Sequence, residues 1–475
     1  MPARVWRGKK VQHDSFRLSI PGRPARIPLR PLIGLRTFRS QGKRSRSAVE
    51  NFRDRQIREL VAHAYRNVPF YTRHYDEHGA LPLKVRGYND LQMLPLVAKE
   101  HLQGTPAGDL VARGVDPTTL LARRTNGTTG EPLAIWRTPA ELRLLNLYYF
   151  QAFRSLGVHR RDTVAGVRLP RPGSIPASPG VPRRFANLAG IYPRADLIAE
   201  NPLLLLDELK RISPAVIGGV PGLLSRIAAQ WPPEDTRTMR TSHWPRLVVT
   251  GGERLTQAVR SHLTETFGAR VIDMYSSMEF YLIASECVTT GAYHVSDETV
   301  ALEILDGERT VESGAAGQPV GTALHSFAAP IIRYPLGDVV TMGGESCDCG
   351  VRLSTISEIQ GRLMTYLELP DGMIVHDNKI EEAVGYAADW VRQTQVSQPR
   401  ADMITLRIAP LRDPSPEEVG RLSYYLEKFL RNQVTVEVVI DRELGLGGGE
   451  KLRALIPLRH ATSTGRRGFC NKADQ

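Results

Sequence analysis

Two glycines and three threonine hydroxyls fall within the first six residues of Thr125-Asn126-Gly127-Thr128-Thr129-Gly130-Glu131-Pro132. Glycine lets a loop bend closely around a ligand, and the N–H and O–H groups of such a run can wrap a polyphosphate. The run lacks the Gly-Lys-Ser/Thr ending of a P-loop, so its grip on phosphate would differ. The competing reading is a surface turn, because clusters of Gly, Thr and Asn commonly are loops. A second chemical set is Cys287, His294, Cys347 and Cys349, which offers three sulfurs and one nitrogen, the donors of a tetrahedral zinc site. Its Cys-x-Cys spacing is not the usual Cys-x2-Cys, so free buried thiols beside a surface histidine remain the alternative. Cys470 lies in the polar C-terminal tail and is read as a bystander. Near the C-terminus, Gly445-Leu446-Gly447-Gly448-Gly449 precedes Glu450-Lys451. That run gives mobility to a lysine that would otherwise be read as a solvated charge.

The elements that must position these residues follow from periodicity. Ile57, Leu60, Val61 and Ala64 recur at helical spacing and predict an amphipathic helix. Through the centre, apolar runs end in polar or Gly-rich turns: Leu247–Thr250 before Gly251-Gly252, Val271–Asp273 before Tyr275, and Ala301–Leu305 before Asp306-Gly307. With helical stretches such as Leu223–Gln230 between them, they predict an α/β sheet with ligands at its strand ends. The last hundred residues differ. Ile404, Leu406 and Ile408 alternate as a strand, and Ser415-Pro416-Glu417-Glu418 reads as a capping box. Val419, Leu422, Leu426, Phe429 and Leu430 continue a helix face, and Val434, Val436 and Val438 alternate again. Strand–helix–strand suffices for a small separate domain, with the boundary placed near Gly361-Arg362. No internal repeat is found.

The chain has 475 residues and a formal net charge of +12, with 62 Lys plus Arg against 50 Asp plus Glu. Residues 1–47 hold 13 of the basic side chains and one acid, Asp14, so the rest of the chain is neutral overall. The basicity belongs to a solvated, Pro/Arg-rich extension, and no nucleic-acid partner is expected. At 41% hydrophobic and 24% charged, the composition suits an ordinary protein with an ample core. No apolar run approaches the roughly 18 residues of a spanning helix, and no apolar segment marks export. Four cysteines in this length do not make a disulfide scaffold, so a reducing cytoplasm is the expected location.

Several stretches in one order give the chain a resemblance to the adenylate-forming superfamily, in its phenylacetate–CoA ligase and capsule-biosynthesis CapK-like branch. Thr125 to Pro132 matches the family's phosphate loop, with Asn126 in place of a hydroxyl residue. Val249-Thr250-Gly251-Gly252-Glu253 is similar to the strand and turn at the nucleotide base. Asp273-Met274-Tyr275-Ser276-Ser277-Met278-Glu279 occupies the Tyr-Gly-x-Thr/Ser-Glu position. Pro330 to Asp338 matches Pro-x-Ile-Arg-Tyr-x-Thr/Ser-Gly-Asp, Gly361-Arg362 begins the hinge motif, and Glu450-Lys451-Leu452-Arg453 sits where the family has Gly-Lys-x-Arg. Tyr65–Tyr71 resembles this branch's N-terminal helix end. The resemblance spans about residues 48–460.

The resemblance implies an α/β fold: a large adenylate-forming domain of mixed β-sheets and helices over residues 48–361, and a small α+β domain over 362–460. A polar tail follows over 461–475. It implies ATP-dependent adenylation of a carboxylic acid and transfer of the acyl group to coenzyme A. Transfer to an amine, AMP transfer to a coenzyme, or a degenerate nucleotide-binding protein are the alternatives. Thr125, Asn126, Gly127, Thr128, Thr129 and Gly130 would cradle the phosphates. Gly252, Glu253, Asp273 and Ser276 would line the nucleotide site, with Tyr275 against adenine, Asp338 on the ribose hydroxyls and Arg362 close by. Glu279 would help hold Mg²⁺, and Lys451 would reach the carboxylate and α-phosphate in the transition state. Tyr148, Tyr149 and Phe150, with Ile217–Pro221 including Gly219 and Pro221, would line the acyl pocket. Cys-x-Cys-Gly resembles an element that holds a structural metal in this branch, and a homodimer is one option for assembly. The departures are Met278, Ser276 and Leu336, together with Met364-Thr365 in place of the acidic hinge pair.

Overall fold

The computed structural model describes residues 45–124, 133–159, 161–168, 185–188, 192–198, 202–232, 244–362, 366–388, 390–444 and 455–456. The phosphate loop, the hinge pair, Lys451 with its Gly-rich lead, Cys470 and the basic extension before residue 45 lie outside the described residues.

Helix α1 (Arg46–Asn67) buries the expected stripe of Ile57, Leu60, Val61 and Ala64. Ser45 caps it by accepting from the Ala48 amide. The helix therefore starts two residues before the expected end of the extension. Arg46 already serves the fold, reaching Glu50 at 2.8 Å and Ser354 Oγ at 3.1 Å. Helix α2 (Pro69–Glu77) places Tyr71 in the core, where its hydroxyl donates to Pro330 O at 3.1 Å and accepts from the Ile332 amide at 3.0 Å. Strands β1 (Leu121–Arg124) and β2 (Ala134–Arg137) pair antiparallel on either side of the expected phosphate loop.

The central sheet is built first from parallel strands. These are β3 (Val164–Arg168), β5 (Tyr192–Ile198), β6 (Val216–Gly219), β7 (Leu247–Gly251) and β8 (Arg270–Ser277), in the spatial order β5-β3-β6-β7-β8, with β4 (Phe185–Leu188) antiparallel at the edge. Both faces are covered. Helix α3 (Pro139–Ser155) packs Phe150 and Phe153 among Val216, Val249 and Ile272 on one face. Helices α4 (Pro202–Ile212), α5 (Pro221–Ala229) and α6 (Gln257–Phe267) pack on Ile217, Val248 and Val271 on the other. Burial on both faces is why these strands read as continuous apolar runs.

After β8 the same sheet turns antiparallel. It continues through β9 (Tyr281–Glu286), β10 (Tyr293–Val295), β11 (Val300–Asp306), β12 (Arg309–Thr310), β13 (Ala316–Ala323), β14 (Tyr334–Pro335), β15 (Asp338–Met342) and β16 (Thr355–Arg362), a 14-stranded sheet among the described residues. Arg333 pins the N-terminal region to it. Its guanidinium forms two 3.0 Å bonds to Glu303 and a third to Leu94 O, while its own carbonyl accepts from the Val97 amide.

A separate core follows. A hairpin of β17 (Tyr366–Glu368) and β18 (Ile374–His376) leads into α7 (Asp377–Ala387). Strands β19 (Val391–Arg400), β20 (Met403–Pro410), β21 (Thr435–Ile440) and β22 (Leu455–Ile456) form a sheet ordered β21-β20-β19-β22. Helix α8 (Pro416–Phe429) carries the expected capping box, Ser415 Oγ accepting from Glu418 N and Glu418 from Ser415 N. Its Leu422 and Leu426 meet Ile404, Leu406 and Ile408 in this core.

Removing one partner of the buried Arg333–Glu303 pair should cost about 3–5 kcal/mol, because it strands a charge in the core. Urea unfolding of Arg333→Met and of the double variant Arg333→Met/Glu303→Leu checks this. The double variant should be the more stable of the two.

Candidate functional site

All the parallel strands end on one edge, where α/β sheets bind ligands. The register sets Gly219 beside Thr250 and Thr250 beside Asp273, so the residues just beyond them project from a common edge. Gly252 turns the chain at φ +82°, a conformation that favours glycine. This places Glu253 against the start of α5, where its carboxylate accepts from the Gly222 amide at 3.2 Å. Pro221 opens that helix, and Gly219 packs so closely that a Cβ would stand 2.8 Å from Val167 Cγ2.

The strongest constellation joins the parallel and antiparallel halves. The Tyr275 hydroxyl donates to Asp338 Oδ2 at 2.5 Å, and Arg362 Nε stands 3.1 Å from Asp338 Oδ1. Asp338 and Arg362 are direct cross-strand neighbours on β15 and β16, which closes a gap of 24 residues in sequence. Gly337, at φ +73°, turns the chain into β15, and Arg362 Nη1 also donates to Leu336 O at 3.1 Å. Burial first, then the Asp338 carboxylate, pushes the Tyr275 phenol well above its usual range, so it stays a neutral donor. Glu279 joins this group through Tyr334, whose hydroxyl lies 3.4 Å from Glu279 Oε1.

Asp273 is placed differently from the other expected nucleotide ligands. It is buried, with Thr250 Oγ1 donating to one oxygen at 2.8 Å and Tyr293 to the other at 3.0 Å. Its own amide bonds Glu286, which pairs with Arg260. Burial raises its carboxyl, with those hydroxyls pulling it back. Asp273 thus braces β7 and β8 beneath the site. Ser276 lies at a bulge in the β8–β9 pairing. Tyr149 packs on Phe153, Phe150 is core, and Tyr148 stacks on His325 at 5.5 Å. Burial holds the His325 imidazole down to about 4, so it is neutral.

Arg137 was not anticipated. It is 2% exposed, and its guanidinium donates to Met278 O at 3.0 Å and to Glu279 O while lying 5.5 Å from the Tyr281 ring centroid. Tyr281 itself sits at φ +62°. Arg137 thus fixes the backbone that presents Glu279. The signal was in β2, where Ile135 and Arg137 share the buried parity. Tyr334 lies within the Pro330–Asp338 stretch, and nothing in the sequence marks its tie to Glu279.

Cys287, His294, Cys347 and Cys349 also converge, their four donor atoms lying within 4.8 Å of one another. Cys287 and Cys347 sulfurs are 3.8 Å apart, and Cys349 Sγ is 3.4 Å from His294 Nε2. These match the edges of a tetrahedron with Zn–S ~2.3 Å and Zn–N ~2.0 Å, and exceed a ~2.05 Å disulfide. Burial raises the Cys287 thiol, but hydrogen bonds around Thr289 and Thr290 outweigh it and bring it to about 7. The set lies past the far end of β9 from Glu279, roughly 20 Å away by strand rise.

No protein-family model matches the chain. It is 24% identical over 354 residues to a phenylacetate–coenzyme A ligase of Thermus thermophilus, covering 71% of this chain and 75% of that protein. It is also 24% identical over 309 residues to the Escherichia coli enzyme of that name, covering 60% and 65%. Among solved structures, 2-hydroxyisobutyryl-CoA ligase in the postadenylation state with R3-HIB-AMP superposes with a TM-score of 0.70 at 21% identity, covering 85% of this chain and 88% of that one. An anthranilate CoA ligase with anthranoyl-AMP gives 0.52 at 15% identity, covering 76% and 72%. The fold is that of the adenylate-forming ligases. In sequence, the chain is similar to phenylacetate–CoA ligases over 60–71% of its length.

Replacing Arg137 by Met should leave two buried carbonyls unsatisfied and lower stability by about 2–4 kcal/mol. It should also raise KM for ATP, with partial recovery in Arg137→Lys. Urea unfolding and steady-state kinetics check this, and an unchanged KM would remove Arg137 from the site.

Proposed function

We propose that this enzyme activates a carboxylic acid with ATP and passes the acyl group to coenzyme A. In the first step a carboxylate oxygen attacks the α-phosphorus, the bond to the β-phosphate oxygen breaks, and pyrophosphate leaves with the acyl-adenylate formed. In the second, the thiol sulfur attacks the acyl carbon and loses its proton, and AMP departs. The observation that carries this reading is the Tyr275–Asp338–Arg362 cluster at the strand-end edge beside Glu279.

Each side chain has work it can do. Asp338 accepts from Tyr275 at one oxygen and pairs with Arg362 at the other, and its carboxylate is suited to the ribose hydroxyls. The Tyr275 ring supplies an aromatic face for adenine. The Glu279 carboxylate offers hard oxygens, and a Mg²⁺ ion held there would offset phosphate charge. Lys451 and the loop Thr125–Gly130 are assigned to the transferring phosphate and the reacting carboxylate by their motif positions. A lysine delivered to that charge acts by electrostatic stabilisation. Acid specificity is assigned to the edge near Gly219 and Pro221, with Tyr148 and Tyr149. Coenzyme A as acceptor is supported by the ligases that the chain resembles.

The Cys287–His294–Cys347–Cys349 set is assigned a structural zinc. Its donors suit that metal, and its distance from Glu279 fits a bracing role, tying the β9–β10 turn to the loop before β16.

ATP–pyrophosphate exchange across a panel of carboxylic acids tests the activity. At least one acid should support exchange, and Lys451→Ala should lower it ~10²–10³-fold. No exchange with any acid, together with no ATP binding, sinks the proposal. Supplying coenzyme A or amines and weighing the products then identifies the acceptor. For the metal, purified protein should carry about one zinc per chain, lost in Cys347→Ser/Cys349→Ser with a lower Tm. A metal-free wild type of equal stability contradicts the zinc.

A further inference from the structure

Helix α5 and strand β19 meet at a seam between the two cores. Gly222 allows the close approach, since a Cβ there would stand 2.9 Å from Gln393 Nε2. Ser225 and Arg226 follow at i+3 and i+4, so they share the Gly222 stripe and face the same strand. Arg392 enters from the other side. The β19–β20 register slips between Val391 and Gln393, leaving Arg392 as the extra residue, and such bulges re-aim a side chain. His262 of α6 completes the cluster.

The seam is buried and rich in basic groups, with the Glu253 carboxylate at its Gly222 end, 3.2 Å from where a Cβ would stand. Arg226 is 7% exposed, Arg392 8% and Ser225 1%. Burial, then the Arg226 charge, lowers Arg392 to about 10. Burial lowers His262, a hydrogen bond to the Ser225 backbone opposes it, and Arg392 lowers it further, with Glu265 the acid that faces this histidine. Among the described residues, Arg392 Nη1 and Ser225 Oγ have no hydrogen-bond partner and can donate, and His262 Nε2 is also unpartnered. Gln393 Oε1 is likewise unpartnered and can accept a P–OH. A buried guanidinium such as that of Arg392 is costly unless an anion compensates it. A phosphate group has the matching chemistry: up to two negative charges and oxygens that accept from guanidinium forks.

We propose that the seam of α5, α6 and β19 binds a phosphate group, held by Arg392 and Arg226 with His262 and Ser225. Because these donors come from both cores, the bound phosphate favours the arrangement in which they meet. The proposal rests on the ligase reading only for the source of that phosphate, which pyrophosphate or coenzyme A would supply.

Calorimetry and thermal unfolding of the full chain with inorganic phosphate, at ionic strength held constant with chloride, test it. Phosphate should raise the wild-type Tm, and Arg392→Gln should lose that shift while keeping its affinity for ATP. Ser225→Ala, a small change that covers any misfolding of the first variant, should weaken phosphate binding by ~3–10-fold. Pyrophosphate, coenzyme A and dephospho-coenzyme A form the other arms. A response to coenzyme A that vanishes without its 3′-phosphate assigns that group, and a response to pyrophosphate alone assigns the leaving group. No phosphate response in wild type, or an equal response in wild type and both variants, overturns the site. These readouts measure binding without turnover, so an absence of ligase activity would leave them standing.

Discussion

The buried pairing of Arg333 with Glu303 is the constraint on which the site's geometry depends. Arg333 is held at φ +50°, an uncommon conformation for a non-glycine residue, and its side chain, amide and carbonyl are all engaged. A charge in the core is tolerable only with such saturation. The consequence is positional. The next five residues contain Tyr334, which reaches Glu279, and Asp338, which meets Tyr275 and Arg362. Pinning residue 333 thus determines where Tyr334 and Asp338 can lie. Tyr71 reinforces it by bonding both Pro330 and Ile332 from the N-terminal helices.

The site is therefore a junction of two kinds of sheet. Parallel strands contribute their carboxyl ends, where β8 leads to Tyr275 and Glu279. The antiparallel part contributes Asp338 and Arg362 through cross-strand register. Neither half holds the cluster alone. The polar network of Thr250, Asp273, Tyr293, Glu286 and Arg260 stiffens the boundary between them, since β8 is the last strand of the parallel set and pairs with antiparallel β9.

What was legible in the sequence was what local rules encode. The stripe from Ile57 to Ala64, the alternation of Ile404 to Ile408 and the capping box at Ser415 depend on neighbours a few residues away, and the structure realises each. The motif residues Tyr275, Glu279, Asp338 and Arg362 were legible through order along the chain, and folding brings them together. Arg137 was not, because its partners Met278 and Glu279 are about 140 residues away and are backbone atoms, which leave no mark in residue type. Asp273 was legible as a motif member but not as a brace, because its burial depends on β10 supplying Tyr293. The seam between α5 and β19 is non-local in the same way: nothing near Arg226 in sequence announces Arg392.

The departures from the family pattern acquire a physical reading on these grounds. Met278 and Leu336 replace hydroxyl residues, which taken alone suggests a site losing its polar groups. In the structure both side chains pack on the large core, and the polar work at these positions is done by their carbonyls: Met278 O receives Arg137, and Leu336 O receives Arg362. A carbonyl is supplied by every residue type, so exchanging the side chain leaves those contacts in place. The apolar side chains add burial beneath the loops that carry Glu279 and Asp338. Met278 and Leu336 are thus compatible with a working adenylation site, and they weaken the degenerate reading that they first suggested.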